Sequence, residues 1–505
     1  MRRAVTTFDQ ARGQTAIPAL KAFAGIVLLL ALVLAPLNYG STRLFPLQTL
    51  IVLAAAGGIA WLAGCFRGRN FPLLPLPARI GVLLIAGVAS VWLFSLPLAE
   101  LPSFTAKHLS RLSARWPHSI VPREAGLLVA GTFASIVAWF ALADLARNAT
   151  WRTAIAWVML LSGGAVALLG LLQNATRAPG IFWNDSVRMP GAFFGTFFHH
   201  TSAGAYLNTV WPLGFALALA GIRRDTESAR ARWLIYSALI CSTLILVAHS
   251  GHISRLPQVI AVVGLVAFTL WAGLWRAFGQ IRGLRLAIGA SSAVLLIGVL
   301  AFGATRLREI NARWNLLEWE GLRGGRATVA SAPVEEWPKL MRDDLFIPSE
   351  HGDYPLGDRG AAYATAWTAI KERPWLGWGP GGWTAATAAL SNDPFIRTFY
   401  LMVQFTHNDY LQTCVEWGLL GAAGWAMLVP GAAVHALKRL GSHPSHDFVG
   451  AAAVTGLVAV LVQSTIDFPL QIPAVFFNAL ALSAIAWSVP VERLHPPSTP
   501  PFPLS

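Results

Sequence analysis

Apolar runs of about 18 or more residues recur along most of this chain, and each could cross about 30 Å of hydrocarbon as a helix. The stretch from Gly25 to Ala35 holds no charge at all. Inside a bilayer every backbone N–H and C=O needs a protein partner, which leaves only helices or closed barrels. The alternating pattern of barrel strands is absent, so the runs predict helices and an all-α polytopic membrane protein. Composition agrees: 55% of the 505 residues are hydrophobic and 12% are charged, about half the charged share of a soluble domain.

About twelve spans are predicted, roughly at 20–37, 46–64, 79–98, 124–144, 152–173, 200–221, 233–250, 255–275, 284–304, 409–436, 448–466 and 471–489. Lysine and arginine orient them. With the N-terminus inside, the inside segments hold about 19 of the 38 cationic residues, the short outside loops about 8, and one long loop the remaining 11. That asymmetry predicts both termini in the cytoplasm, long loops being exempt. The basic leader up to Lys21 lacks a convincing cleavage site and reads as preceding an uncleaved first span. The expected organisation is helices one to nine over 1–304 and a large periplasmic loop over 305–408. Helices ten to twelve follow over 409–489, then a Pro-rich, disordered cytoplasmic tail over 490–505.

The net charge of +14 is explained by the cytoplasmic loops. No basic stripe interleaves with aromatics, which argues against nucleic acid. Cys65, Cys241 and Cys414 lie in or beside apolar runs, so no disulfide framework or CxxC metal pair is expected.

His407 sits where the long loop re-enters the apolar region, followed by Asn408 and Asp409. A helix start tends to keep an imidazole neutral and able to act as a base. Glu416, deeper on the face of Asp409, is costly in lipid and should point inward to a partner. His199, His200 and Asp467 are expected on the same side of the membrane. Upstream, Asp358 is placed to cap a helix carrying Arg359, Tyr363 and Trp367 on one face and ending near Arg373-Pro374. An arginine beside two aromatics points to an anion. The glycine-rich stretch Gly377–Gly382 matches no phosphate loop and reads equally as a tight turn.

Arg255 lies in a short outside turn, with Pro257 suited to the first turn of the next helix. Its guanidinium suits phosphate, although snorkelling would also explain it. No metal site is expected: His249 and His252 are three apart without a third ligand nearby, and the adjacent His199 and His200 point apart. With no Asp-x-Asp cluster in the outside loops, a pyrophosphate leaving group would depend on arginines.

In order along about 195–425 stand Gly195-Thr196-Phe197, Ala203-Gly204-Ala205-Tyr206-Leu207 and Ser254-Arg255. Arg359 with Pro374-Trp375-Leu376-Gly377-Trp378-Gly379-Pro380-Gly381 comes next, then His407-Asn408-Asp409-Tyr410-Leu411 with Glu416-Trp417-Gly418-Leu419-Leu420-Gly421. This ordered set resembles the O-antigen ligase and polymerase superfamily: WaaL-type ligases, Wzy-type polymerases and protein O-oligosaccharyltransferases. The resemblance implies a GT-C-like helical fold with its large loop between helices nine and ten. It also implies a cofactor-free, metal-independent, inverting transfer at the periplasmic face of the bacterial inner membrane. The donor would be a polyprenyl-pyrophosphate-linked glycan. The acceptor would be a glycan, lipid A-core or protein hydroxyl.

His407 would be the base, and Arg255 and Arg359 would hold the pyrophosphate. Asn408, Asp409, His199 and Arg188 complete the expected substrate contacts. Two departures stand out: His199-His200-Thr201 replaces the family's Asn-x-Asn, and Leu256-Pro257 replaces small residues after the Ser-Arg pair. The rival reading is a transporter of lipid-linked glycans. Transporters show paired halves with broken helices at matching positions, and no such pairing is seen here.

Overall fold

Fourteen helices account for nearly all the regular structure among the described residues of this computed structural model, which are 19–72, 74–95, 122–184, 193–224, 228–252, 254–272, 358–391, 405–442 and 447–488. The basic leader, the loop bearing Lys107 to Arg115, Arg188, the expected ninth span at 284–304, the long loop up to 357 and the tail lie outside them.

The helices are α1 (Ala19–Leu37), α2 (Leu44–Gly68), α3 (Leu76–Ser95), α4 (Pro122–Leu145), α5 (Ala149–Ala175), α6 (His200–Arg224) and α7 (Ala229–Gly251). They continue with α8 (Arg255–Ala272), α9 (Asp358–Glu372), α10 (Trp383–Leu390), α11 (Asp409–Leu428), α12 (Pro430–Ser442), α13 (Phe448–Gln463) and α14 (Pro473–Trp487). Eight stretches are long and apolar enough to cross a membrane: α1 to α7, and α11 together with α12. Shorter apolar helices are α8, α13 and α14. The protein is thus a polytopic helical membrane protein, and eleven of the twelve expected spans fall on described helices.

Local chemistry sets the helix starts. The side chains of Asn148, Ser228, Asn408 and Asp447 each accept a backbone N–H from the first turn that follows, satisfying donors a helix cannot satisfy itself. The expected 409–436 span is not one straight helix. It breaks at Gly418 (φ 65°, ψ −179°) and again after Leu428. Pro430 follows, and its ring and missing N–H cannot continue the preceding turns.

Polar ties mark the two ends of the bundle. At one end Asp144 accepts from Lys21 (2.7 Å) and Trp61 (2.9 Å), joining the end of α4 to the start of α1 and to α2. At the same end Arg152 pairs with Asp447 at 2.5 Å. At the other end lie the α1–α2 turn, the 193–199 segment, the α7–α8 turn, the start of α11 and the α13–α14 turn. Thr196 Oγ1 donates to Pro36 O (2.5 Å), the Asn174 amide to Gly251 O, and Asp409 N to Ser464 O (3.0 Å). Between the two ends runs α14, mostly apolar and almost wholly buried, as such a helix must be, with its polar Asn478 and Ser483 hydrogen-bonded to Thr209 and Leu428.

Candidate functional site

The turn before α11 is built from side chains that replace missing backbone bonds. Thr406 Oγ1 donates to Asn408 O (2.6 Å) and accepts from Asn408 N (3.1 Å), while Gln412 Oε1 accepts from Thr406 N (3.1 Å). Asn408 Oδ1 caps Leu411 N (3.0 Å), and its amide donates to Thr465 O (2.8 Å). Asp409, 1% exposed, accepts from Ser464 Oγ (2.8 Å), Leu470 N (2.9 Å) and Gln471 Nε2 (3.1 Å). Both residues, expected to touch substrate, therefore have framework partners in the α13–α14 turn.

That framework presents His407. Its backbone is left-handed at φ 55°, which costs about 1–3 kcal/mol and persists only where surroundings over-determine it. Tyr363 Oη donates to His407 O (3.0 Å), and the imidazole meets the Phe468 ring edge-on at 5.0 Å. Nδ1 lies 4.0 Å from Asp467 Oδ1, and the side chain keeps 40% exposure. Burial, then the Arg359 charge, pulls the His407 pKa down to about 4, with Asp467 opposing. The imidazole is neutral at pH 7.

Three expected residues converge here. Arg359, exposed in the first turn of α9, lies within electrostatic reach of His407 and Tyr363. His199 meets Phe468 at 5.9 Å; desolvation lowers its pKa while Asp467 raises it. Asp467 thus sits between two histidines, steadied by Gln463 Nε2 at 3.0 Å. Its role as the shared partner was not read from sequence; an acid inside Ile466-Asp467-Phe468-Pro469, between two apolar helices, was the available signal. Arg255 opens α8 at the same end, three residues after His252, which His200 reaches electrostatically. Arg188 lies outside the described residues.

The long-loop helices are fastened to the bundle by glycine. Gly377, Gly379 and Gly381 all have positive φ. Trp378 N donates to Val415 O (2.7 Å), Gly379 N to Glu416 O (3.0 Å) and Leu419 N to Pro374 O (2.7 Å). Glu416, 6% exposed, accepts from Gly381 N and Gln412 Nε2, both at 3.1 Å, so it has the inward partners expected of it. These N–H groups are consumed by α11, which makes the stretch a docking turn. The face of α9 that packs inward carries Ala362, Ala366, Ala369 and Ile370; Arg359 heads the same face and is exposed because it stands in the first turn.

Below the site a cavity of about 500 Å³ opens between α2, α4 and α11. Leu50, Leu128, Trp417, Trp425 and Phe476 line it, and it follows α11 from Asp409 to Val429, about 30 Å of helix. Among the described residues no group of three or more His, Cys, Asp or Glu could hold a metal. His249 Nδ1 and His252 Nε2 face each other at 2.9 Å.

No curated protein matches the chain. A family model described as O-antigen ligase matches residues 238–426. That interval contains Arg255, Arg359, the docking turn and His407 with its cap, while His199 and Asp467 fall on either side of it. Over these residues the chain is similar to the O-antigen ligase family.

Proposed function

We propose that the protein transfers a glycan from a polyprenyl-pyrophosphate donor to an acceptor hydroxyl, at the periplasmic face of the bacterial inner membrane. The convergence of His407, Asp467, His199 and Arg359 carries this reading, beside an apolar cavity whose lining begins at Asp409, two residues after His407. The cavity suits an isoprenoid chain, being mostly apolar, with Asp409, Tyr410 and Gln471 at one end and Thr132, Ser135 and Glu416 further along.

In the proposed reaction the acceptor oxygen attacks the anomeric carbon as the bond to the pyrophosphate oxygen breaks. His407 Nε2 takes the hydroxyl proton. Asp467 orients the ring through Nδ1–H; its 4.0 Å separation exceeds a hydrogen bond, and such contacts tighten when substrate binds. The pyrophosphate leaves with its charge held by Arg359 and Arg255 through parallel N–H bonds. A base with pKa about 4 is weak, but one of its two main lowering influences is the Arg359 charge. A bound pyrophosphate neutralises that charge and raises His407 toward the operating pH. Donor binding thereby switches on the base.

The test is transfer by full-length protein in vesicles holding a polyprenyl-pyrophosphate oligosaccharide and lipid A-core. Wild type forms the glycosidic bond. His407→Asn, which tolerates a left-handed backbone, loses about 10²–10⁴-fold, and Arg359→Ala loses transfer while the protein still inserts. Movement of donor across the vesicle without a new bond overturns the reading in favour of a transporter. In a deletion strain, free lipid-linked polymer with bare lipid A-core identifies a ligase, and single repeats on the core identify a polymerase. Unmodified glycoprotein identifies the protein-directed branch.

A further inference from the structure

Arg43 joins α1 to α2 at the end of the bundle that holds His407. Its guanidinium lies 4.2 Å over the Tyr39 ring and 5.2 Å from the Phe198 ring. Tyr39 and Phe198 stack at 5.7 Å, and Phe182 meets Tyr39 edge-on at 5.5 Å. Among the described residues the guanidinium meets ring faces and no carboxylate. A cation–π contact holds a guanidinium without using its five N–H donors. Arg43 is exposed, and among the described residues its donors are spent on no acidic side chain.

The shelf is held in an unfavourable backbone. Tyr39, Gly40 and Ser41 are all left-handed (φ 55°, 60° and 57°), as are Phe182 and Trp183 (55° and 57°). Each non-glycine residue of this kind costs about 1–3 kcal/mol, and such residues gather at ligand clamps. Side chains maintain the conformation: Ser41 Oγ donates to Ala35 O (3.1 Å), Thr42 Oγ1 to Tyr39 O (2.8 Å), and Trp183 Nε1 to Thr176 Oγ1 (2.9 Å).

Two further contacts say what the shelf faces. Leu44 and Phe45, directly after Arg43, are 64% and 74% exposed, and Phe182 and Trp183 are 44% and 45% exposed. Exposed apolar and aromatic side chains at a span's end belong at the lipid–water boundary. Phe198 is also the neighbour of His199, which shares Asp467 with His407. An unspent arginine at that boundary, one residue removed from the site, fits the phosphate of a membrane-anchored molecule.

We propose that Arg43, held against the Tyr39 and Phe198 rings, binds the phosphate of an anionic lipid beside the transfer site. The phosphate could belong to the donor's pyrophosphate or to a phospholipid head group. Only the donor arm rests on the transfer reading.

The test is direct binding by full-length protein in nanodiscs, with no glycan present. Undecaprenyl pyrophosphate is titrated in phosphatidylcholine discs, and phosphatidylglycerol is titrated separately. Arg43→Gln is expected to weaken one of the two by about tenfold, the worth of a charge-assisted contact, and Arg43→Lys by less, having lost the planar fork. Loss confined to the pyrophosphate assigns Arg43 to the donor. Loss confined to phosphatidylglycerol assigns it to the head group. Unchanged affinity for both, in a variant of unchanged thermal midpoint, overturns the proposal. If Arg43→Gln does not fold, Phe198→Leu, which removes one face of the shelf, gives the same readout. Movement of donor across the vesicle without a new glycosidic bond would sink the transfer reading and leave this binding result standing.

Discussion

Asp467 Oδ1 stands 4.0 Å from His407 Nδ1, although the two come from opposite sides of α11, α12 and α13. The carboxylate raises the histidine pKa while burial and Arg359 lower it. The pH profile therefore has a definite sign. Wild-type kcat/KM should fall as pH drops through about 4, where the free protein's His407 gains its proton. Asp467→Asn removes the raising charge and moves that limb to lower pH. Arg359→Gln removes a lowering charge and moves it up, toward the ordinary histidine value of about 6.5. The kcat limb should lie above the kcat/KM limb, because bound pyrophosphate screens Arg359. Rates measured from about pH 3.5 to 8 in the three proteins check all four statements.

Asp409 is the second test, because it separates positioning from substrate contact. Its carboxylate holds three donors of the α13–α14 turn. Asp409→Ala leaves them unpaired, at a cost of about 3 kcal/mol, read as a lower thermal midpoint. His407 is two residues away, and a displacement of about 1 Å can cost about 10²-fold in rate. The expected kinetic signature is a fall in kcat with donor KM nearly unchanged. A rise in KM with kcat intact would instead make Asp409 a substrate ligand. Asp409→Asn, which keeps the shape, should recover part of both losses.

The opposite end of the bundle supplies a contrast. Asp144 accepts from Lys21 and Trp61, with side-chain exposure of 18% for Asp144 and 9% for Lys21. Asp144→Ala strands a largely buried ammonium and should cost about 3–5 kcal/mol. Because this tie lies at the far end from His407, KM and kcat of the surviving folded fraction should match wild type. Thermal midpoints paired with single-turnover rates distinguish this from the Asp409 case.

The helices were legible because membrane crossing demands long apolar runs, and that demand overrides local propensity. Arg359 and His407 were legible because they begin helices and carry a family pattern. Other features arise only when distant segments meet. Asp467 gains its place because Gln463 and the Asp409 bonds fold the α13–α14 turn back over His407. In sequence Arg43 is one outside-loop cation among several; its ring shelf joins Tyr39, four residues before it, to Phe198, far along the chain. The glycine-rich stretch read as an ordinary turn, because its partner is a break inside α11 that no local pattern announces.

That break yields the last prediction. Gly377 and Gly418 pack backbone to backbone, each with positive φ (74° and 65°). A Cβ at Gly377 would stand 2.5 Å from Val415 O and 2.6 Å from Gly418 N. One at Gly418 would stand 2.5 Å from Leu376 N. Backbone cannot yield as a side chain end can, so either alanine must part the docking turn from α11. The strained backbone alone contributes about 1–3 kcal/mol, with the lost contact added. Both substitutions break one contact, so the double variant should cost less than the sum of the singles. Gly87 is the control: nothing lies within 4 Å of its added Cβ, and alanine in a helix interior stabilises by about 0.5–1 kcal/mol. Protease nicking of the α9–α10 segment should rise in Gly377→Ala and Gly418→Ala and stay at the wild-type rate in Gly87→Ala. Transfer should fall with it, because α9 carries Arg359 and the Tyr363 hydroxyl that holds His407 O. Wild-type nicking and transfer in both variants would mean that α9 reaches the site without this junction.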